Sequence, residues 1–274
     1  MSGPTIIAVA NPKGGTGKST VSANIAAVAA LRGINTLLID LDPQGSSSLL
    51  SGIPSAEDRH SAGAMFSDTP SLPSQLATAT PYGFDVVPAG AGLIETEDWL
   101  ARHVIGQHQL RLLFRRDTAM ANYKFVVVDT TGFKGRLLNA ALLAATNVII
   151  PIRPSVLSTN ELPDFLAIMA KINLLREGLG DRRLYVNGVV FNMVREGTNA
   201  AAENIAEVID ALAVTESDFG CATSFLPEGT AIEDAARVRA PVVCVQPASK
   251  IAQRYNLLFD ELFGSEQSVR SVVA

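Results

Sequence analysis

Apolar residues fall into two kinds of segment that take turns along the chain. Short β-branched and aliphatic runs at residues 5–10, 36–40, 125–129, 148–152 and 186–191 are apolar at successive positions, where a half-exposed strand would alternate. Strands of that kind are covered on both faces, as in a parallel sheet between layers of helix. A further short strand is expected at residues 85–87. Between the runs lie segments with apolar positions at helical spacing: 19–31, rich in Ala and followed by Gly33 as a C-terminal glycine, then 137–145, 157–177, 200–213 and 249–263. The alternation predicts right-handed βαβ units. The expected class is therefore an α/β fold with a doubly wound, mainly parallel β-sheet flanked by helices, its ligands held at the carboxyl ends of the strands.

Residues 46–80 break the rhythm. They are rich in Ser, Pro, Ala and Gly, and predict an irregular surface excursion with short helices, since the strand pattern resumes at once. No internal repeat is visible, so one domain is expected over 1–264, with 265–274 a flexible C-terminal tail.

The sharpest departure from simple patterning is Asn11-Pro12-Lys13-Gly14-Gly15-Thr16-Gly17-Lys18-Ser19-Thr20, directly after an apolar strand and before a helix. Glycines let successive backbone N–H groups turn inward around a phosphate, and the following helix adds its positive dipole end. Lys18 then reaches the β- and γ-phosphates, and the Ser19 hydroxyl is placed to ligate Mg²⁺. The bland alternative is a glycine turn between a strand and a helix. Carboxylates suited to a magnesium-nucleotide site stand at two strand ends: Asp40 and Asp42 in Asp40-Leu41-Asp42-Pro43-Gln44-Gly45, and Asp129 after Phe125-Val126-Val127-Val128. Asp129 is the expected Mg²⁺ partner through a bridging water, and Asp42 the group that orients or deprotonates the attacking water.

Through these motifs the sequence resembles the ParA/MinD family of deviant Walker A ATPases, closest to the short ParA-type partition ATPases, over nearly the whole chain. The resemblance implies an ATPase using ATP and Mg²⁺ in a slow, partner-stimulated reaction. It makes Lys18 the phosphate lysine of its own subunit, and Lys13 the lysine that reaches the nucleotide of a second subunit when two ATP-bound protomers dimerise. It matches Ser19 to the magnesium ligand, Asp42 to the acid needed for hydrolysis, and Asn192 and Pro227 to residues beside the adenine. After Asp129 the family often continues with a proline, where this chain has Thr130-Thr131-Gly132-Phe133-Lys134-Gly135. With no extension before the first strand, an operator-binding helix-turn-helix domain is not expected. The partners implied are a second copy of the chain, non-specific DNA of the nucleoid, and a ParB-like or other cargo adaptor that stimulates hydrolysis.

Charge changes this picture. The 22 Lys and Arg against 27 Asp and Glu give −5 over 274 residues, which disfavours a diffuse polyanion-coating surface. DNA affinity would have to come from a few cations, of which Arg195, Arg237, Arg239, Lys250 and Arg254 are the candidates, gathered twice over by dimerisation. The two cysteines, Cys221 and Cys244, form no CxxC and read as small apolar residues. No signal-type leader or spanning apolar run is visible, so a cytoplasmic, nucleoid-associated protein without membrane contact is expected. Two other classes stay open: a MinD-like membrane-associated regulator, disfavoured by the acidic 255–263 segment, and a P-loop small-molecule ligase on the same scaffold.

Overall fold

The computed structural model describes residues 3–54, 56–155, 158–197, 199–213 and 225–264. The expected tail at 265–274 and Cys221 lie outside them. Among the described residues seven strands form one sheet: β1 (Thr5–Val9), β2 (Thr36–Asp40), β3 (Thr78–Ala79), β4 (Asp85–Val87), β5 (Phe125–Asp129), β6 (Asn147–Ile152) and β7 (Tyr185–Phe191). Their spatial order is β3-β4-β2-β5-β1-β6-β7, parallel throughout except for the β3–β4 pair. The helices are α1 (Lys18–Leu31), α2 (Ser46–Leu50), α3 (Pro73–Leu76), α4 (Leu93–Arg102), α5 (Gln109–Arg116), α6 (Arg136–Ala144), α7 (Ser158–Gly178), α8 (Asn199–Ala213), α9 (Thr230–Arg237), α10 (Val242–Val245) and α11 (Lys250–Phe263).

Side chains of a strand alternate between its faces, and here each face meets its own core. Ile6 and Ala8 of β1, with Leu37, Ile39, Val126 and Val128, join α4, α5, α6 and α7. Ile7 and Val9, with Leu38, Phe125 and Val127, join α1 and α11, where Phe125 meets Phe259 and Phe263 at ring-centroid distances of 5.8 and 5.1 Å. This double burial is why the strands read as unbroken apolar runs. Helix α1 is buried on nearly every side, and its alanines allow the close approach. It ends as expected at Gly33, whose N–H donates to Ala30 O while Ile34 N–H donates to Ala29 O, a Schellman closure with Gly33 at φ 76°.

Residues 46–80 form the anticipated excursion of short helices, closed by the edge hairpin β3–β4. Helices α4 and α5 were not anticipated, although α4 buries Leu93, Thr96 and Leu100 at helical spacing. Among the described residues no helix is long and apolar enough to cross a membrane.

Candidate functional site

Strand β1 lies between β5 and β6, so the chain leaving Val9 enters the crevice at the carboxyl end of the sheet's centre. Asn11 fixes that exit. Its side-chain amide donates to Pro151 O at 2.8 Å and its Oδ1 accepts from Lys13 N–H at 3.0 Å. Gly15 and Gly17 follow with φ of 74° and 80°, the left-handed region in which a side chain is strained. At Gly17 a Cβ would also fall 2.1 Å from Asn192 Nδ2, so that glycine is demanded twice. Helix α1 starts at Lys18 and turns its free N–H groups toward the loop.

Lys18 is 6% exposed, and its Nζ donates to the Lys13 carbonyl at 2.9 Å across the loop. Burial lowers its pKa, against the opposing charges of Asp129 and Asp42. Asp40 and Asp129 end neighbouring strands in paired register, and both are fully buried. Asp40 is committed to local structure. Its Oδ2 accepts from the backbone and hydroxyl of Ser48 at 2.8 and 2.7 Å, and its Oδ1 from Asp42 N–H at 3.1 Å. Asp129 Oδ1 accepts from the Ser22 hydroxyl at 2.9 Å, whereas its Oδ2 has no hydrogen-bond partner among the described residues. Burial first, then the charge of Asp40, pushes the Asp129 carboxyl up to about 7, while the hydroxyls of Ser19, Ser22 and Ser47 favour its ionised form.

An orphaned carboxylate oxygen in such a place is costly unless a cation faces it. The oxygen donors Ser19, Ser47 and Asp129 suit a hard divalent ion that keeps most of its waters, as Mg²⁺ does. Among the described residues no cluster of three or more His, Cys, Asp or Glu side chains could cage a metal alone.

Asp42 is half-buried, and its Oδ1 accepts from Gln44 N–H at 3.0 Å, an Asx turn that holds the carboxylate at the end of β2. The segment after Asp129 folds against the phosphate loop: a Cβ on Gly132 would lie 3.1 Å from Gly14 Cα and 3.4 Å from Lys18 Nζ. At its far end Glu97 of α4 accepts from Arg136 N–H and Leu137 N–H, both at 2.9 Å, and so closes the first turn of α6. Glu97→Ala is expected to cost about 1 kcal/mol of stability, read as a lowered Tm in thermal denaturation; an unchanged Tm would show that water replaces the carboxylate without cost.

The remaining expected residues divide in space. Asn192 touches the loop directly, its amide donating to Thr16 O at 2.9 Å, and Pro227 is buried beside Val194 in a bridge next to β7. Ser19 and Thr20 sit half-buried in the first turn of α1. Of the candidate DNA cations, Arg195 pairs with Glu228, Lys250 with Glu196, and Arg254 lies 4.8 Å over the Phe225 ring, so these three share one neighbourhood. Arg237 is the last residue of α9, paired with Asp234 at 3.0 Å, and Arg239 follows two residues later. The sequence assigns no role to Ser22 or Glu97, and gives Asn11 and Gly132 only as members of their motifs; Ser22, one turn beyond Lys18 on the face toward β5, carries a signal in its spacing.

The family model AAA_31, an AAA domain, matches residues 4–179. The sporulation initiation inhibitor protein Soj of Bacillus subtilis (strain 168) is 30% identical over 203 residues, 74% of this chain and 78% of that one. The chromosome partitioning protein ParA of Caulobacter vibrioides (strain NA1000 / CB15N) is 26% identical over 272 residues, 98% and 97% of the two chains. Among solved structures, cobyrinic acid a,c-diamide synthase from Mycobacterium smegmatis, with bound ATP analog and magnesium, superposes with a TM-score of 0.78 at 22% identity over 98% of each chain. The two-lysine phosphate loop on β1, the strand-end acids, the parallel sheet and the family match agree: the chain belongs to the ParA/MinD family of P-loop ATPases.

Proposed function

We propose that the protein is a ParA-type dimerisation switch that binds and hydrolyses ATP, binds non-specific DNA in its ATP-bound dimeric form, and thereby partitions a plasmid or chromosome or positions another cargo. The observation that carries this reading is the placement of two lysines on one loop, Lys18 buried and bonded across it, Lys13 at its front, with Asp42 on the facing strand end.

The backbone N–H groups of residues 14–19 bind the phosphates, and the Lys18 ammonium balances their charge in a site that screens it little. Ser19, and Asp129 through water, would hold Mg²⁺, which would supply neutralisation of phosphate charge. Asp42 orients the attacking water and takes its proton, while Asn192 and Pro227 border the base. Lys13 reaches the nucleotide of the second subunit, which makes dimerisation a sensor of ATP. In a chain of net charge −5, Arg195, Lys250 and Arg254, with Arg237 and Arg239, gather enough cations for phosphate binding only when two protomers present them together. A cargo adaptor resets the switch by stimulating hydrolysis.

Lys13→Ala is expected to abolish ATP-dependent dimerisation in size-exclusion chromatography while leaving ATP binding to the monomer intact. Unchanged dimerisation and stimulated hydrolysis would overturn the reading. Wild-type binding to non-specific DNA should require ATP and weaken with salt, and equal binding with ATP, ADP and no nucleotide would sink the nucleoid role. A small-molecule ligase is the second reading, favoured by an open cavity of about 470 Å³ between Asp42, Leu93, Glu97 and Phe133 that would admit a co-substrate. ATP turnover that required a metabolite and ignored DNA would select it.

A further inference from the structure

At the amino end of the sheet, remote from the phosphate loop, lies a larger cleft of about 770 Å³. Thr5 at the start of β1 and Asn147 at the start of β6 form its floor, and its walls come from α5, the end of α6 and the loop after α7. Five arginines line it, Arg111, Arg115, Arg176, Arg182 and Arg183, against one carboxylate, Asp181. In a chain of net charge −5 this is a local reversal of sign.

The five have different duties. Arg176 is structural: its Nη1 donates to Leu142 O, Leu143 O and Ala145 O at 3.3, 2.9 and 2.7 Å, closing the carboxyl end of α6, and its Nε donates to Arg182 O at 2.8 Å. Arg111, with a side chain 10% exposed, pairs with Asp181 in the wall, and Asp181 takes a second guanidinium, Arg115, at 2.5 Å. The cleft thus already holds one carboxylate between two guanidinium groups. Arg115, Arg182 and Arg183 face the opening. Arg183 has an exposed pairing with Glu177 at 3.2 Å, the kind that is worth little, and among the described residues no carboxylate lies within ion-pair distance of Arg182. The positive excess is felt inside: burial lowers the pKa of Arg176, Asp181 opposes this, and Arg111 and Arg115 add to the lowering.

The occupant can be argued from shape and residue type. Every cation is an arginine, whose planar fork matches a carboxylate bidentately. Phe114 and the half-exposed ring of Tyr185 add apolar walls. A duplex backbone is tracked by cations on an open surface, whereas these line the walls of a cleft. We propose that this cleft docks an acidic peptide segment of a partner protein, its carboxylates engaging Arg115, Arg182 and Arg183 and its apolar side chains covering Phe114 and Tyr185. The site stands independently of the nucleotide reading.

The test is fluorescence anisotropy of a fluorescein-labelled peptide of alternating Glu and Leu, at low ionic strength and without nucleotide, so that its outcome is separate from ATP binding. Wild-type protein should bind it with an affinity that falls as salt rises. Arg182→Glu with Arg183→Glu should weaken binding at least about tenfold, and Arg59→Ala, outside the cleft, should not change it. If the double variant melts early, Arg182→Ala, which breaks no ion pair, is read in its place with a loss of about threefold expected. No binding by the wild type, equal binding by the Arg182 variants, or preferential binding of a labelled DNA duplex through these arginines would each overturn the proposal.

Discussion

Lys18→Ala is expected to lower ATP turnover by about 10²–10³-fold, the loss typical of removing one preorganised charge from a developing transition state. The size follows from burial. The ammonium is 6% exposed and held at 2.9 Å by the Lys13 carbonyl, so its field acts on phosphate oxygens with little water between. Its removal also leaves Asp129 and Asp42 without the cation they face, so phosphates would meet an unopposed negative wall and ATP binding should weaken together with kcat. Lys18→Arg should not rescue activity. Nζ is fixed at 2.9 Å from the Lys13 carbonyl beside Gly132, and a planar, branched guanidinium does not reproduce the compact point charge held there. Steady-state kinetics, with circular dichroism to verify folding, decides the matter; turnover within about threefold of wild type would remove Lys18 from the mechanism.

Asp42→Asn separates binding from hydrolysis. The Asx turn needs only an oxygen at Oδ1 to accept the Gln44 N–H, and an amide supplies it, so the loop after β2 keeps its shape. The amide cannot take a proton from water. Turnover should fall by about 10²–10⁴-fold, the usual contribution of a general base, with the Kd for ATP unchanged, and the protein should accumulate as an ATP-bound dimer. A parallel loss of ATP affinity, measured by titration of a fluorescent analogue, would instead make Asp42 a binding residue.

What could be read in advance from the sequence depended on how local the cause was. The parallel strands were legible because both faces are buried: at residues 36–40 and 125–129 the predicted and observed bounds coincide. The phosphate loop was legible because its glycines answer to backbone geometry, as the positive φ values of Gly15 and Gly17 bear out. Helices α4 and α5 are short, at 10 and 8 residues, so their period has few turns in which to appear. Contacts made across the fold left no local trace. Glu97 serves a helix that begins 39 residues later, and Asn11 answers to a carbonyl 140 residues away. Asp40 shows the converse. It stands next to the site in sequence, yet its hydrogen bonds belong to the turn that positions Asp42.

The central position of β1 also orders the protein's own birth. Its register partners are Phe125–Asp129 on one side and Asn147–Ile149 on the other, and the loop that follows it is pinned to Pro151. Pairings so distant are slow to close, because the entropy of the intervening chain is lost before the contacts form. On a ribosome the segment that will hold the phosphates emerges before both strands that flank it, and must wait in an unpaired state until residues beyond 152 have followed it out. Nascent chains halted earlier should therefore carry the complete phosphate-binding sequence without a folded nucleotide cradle.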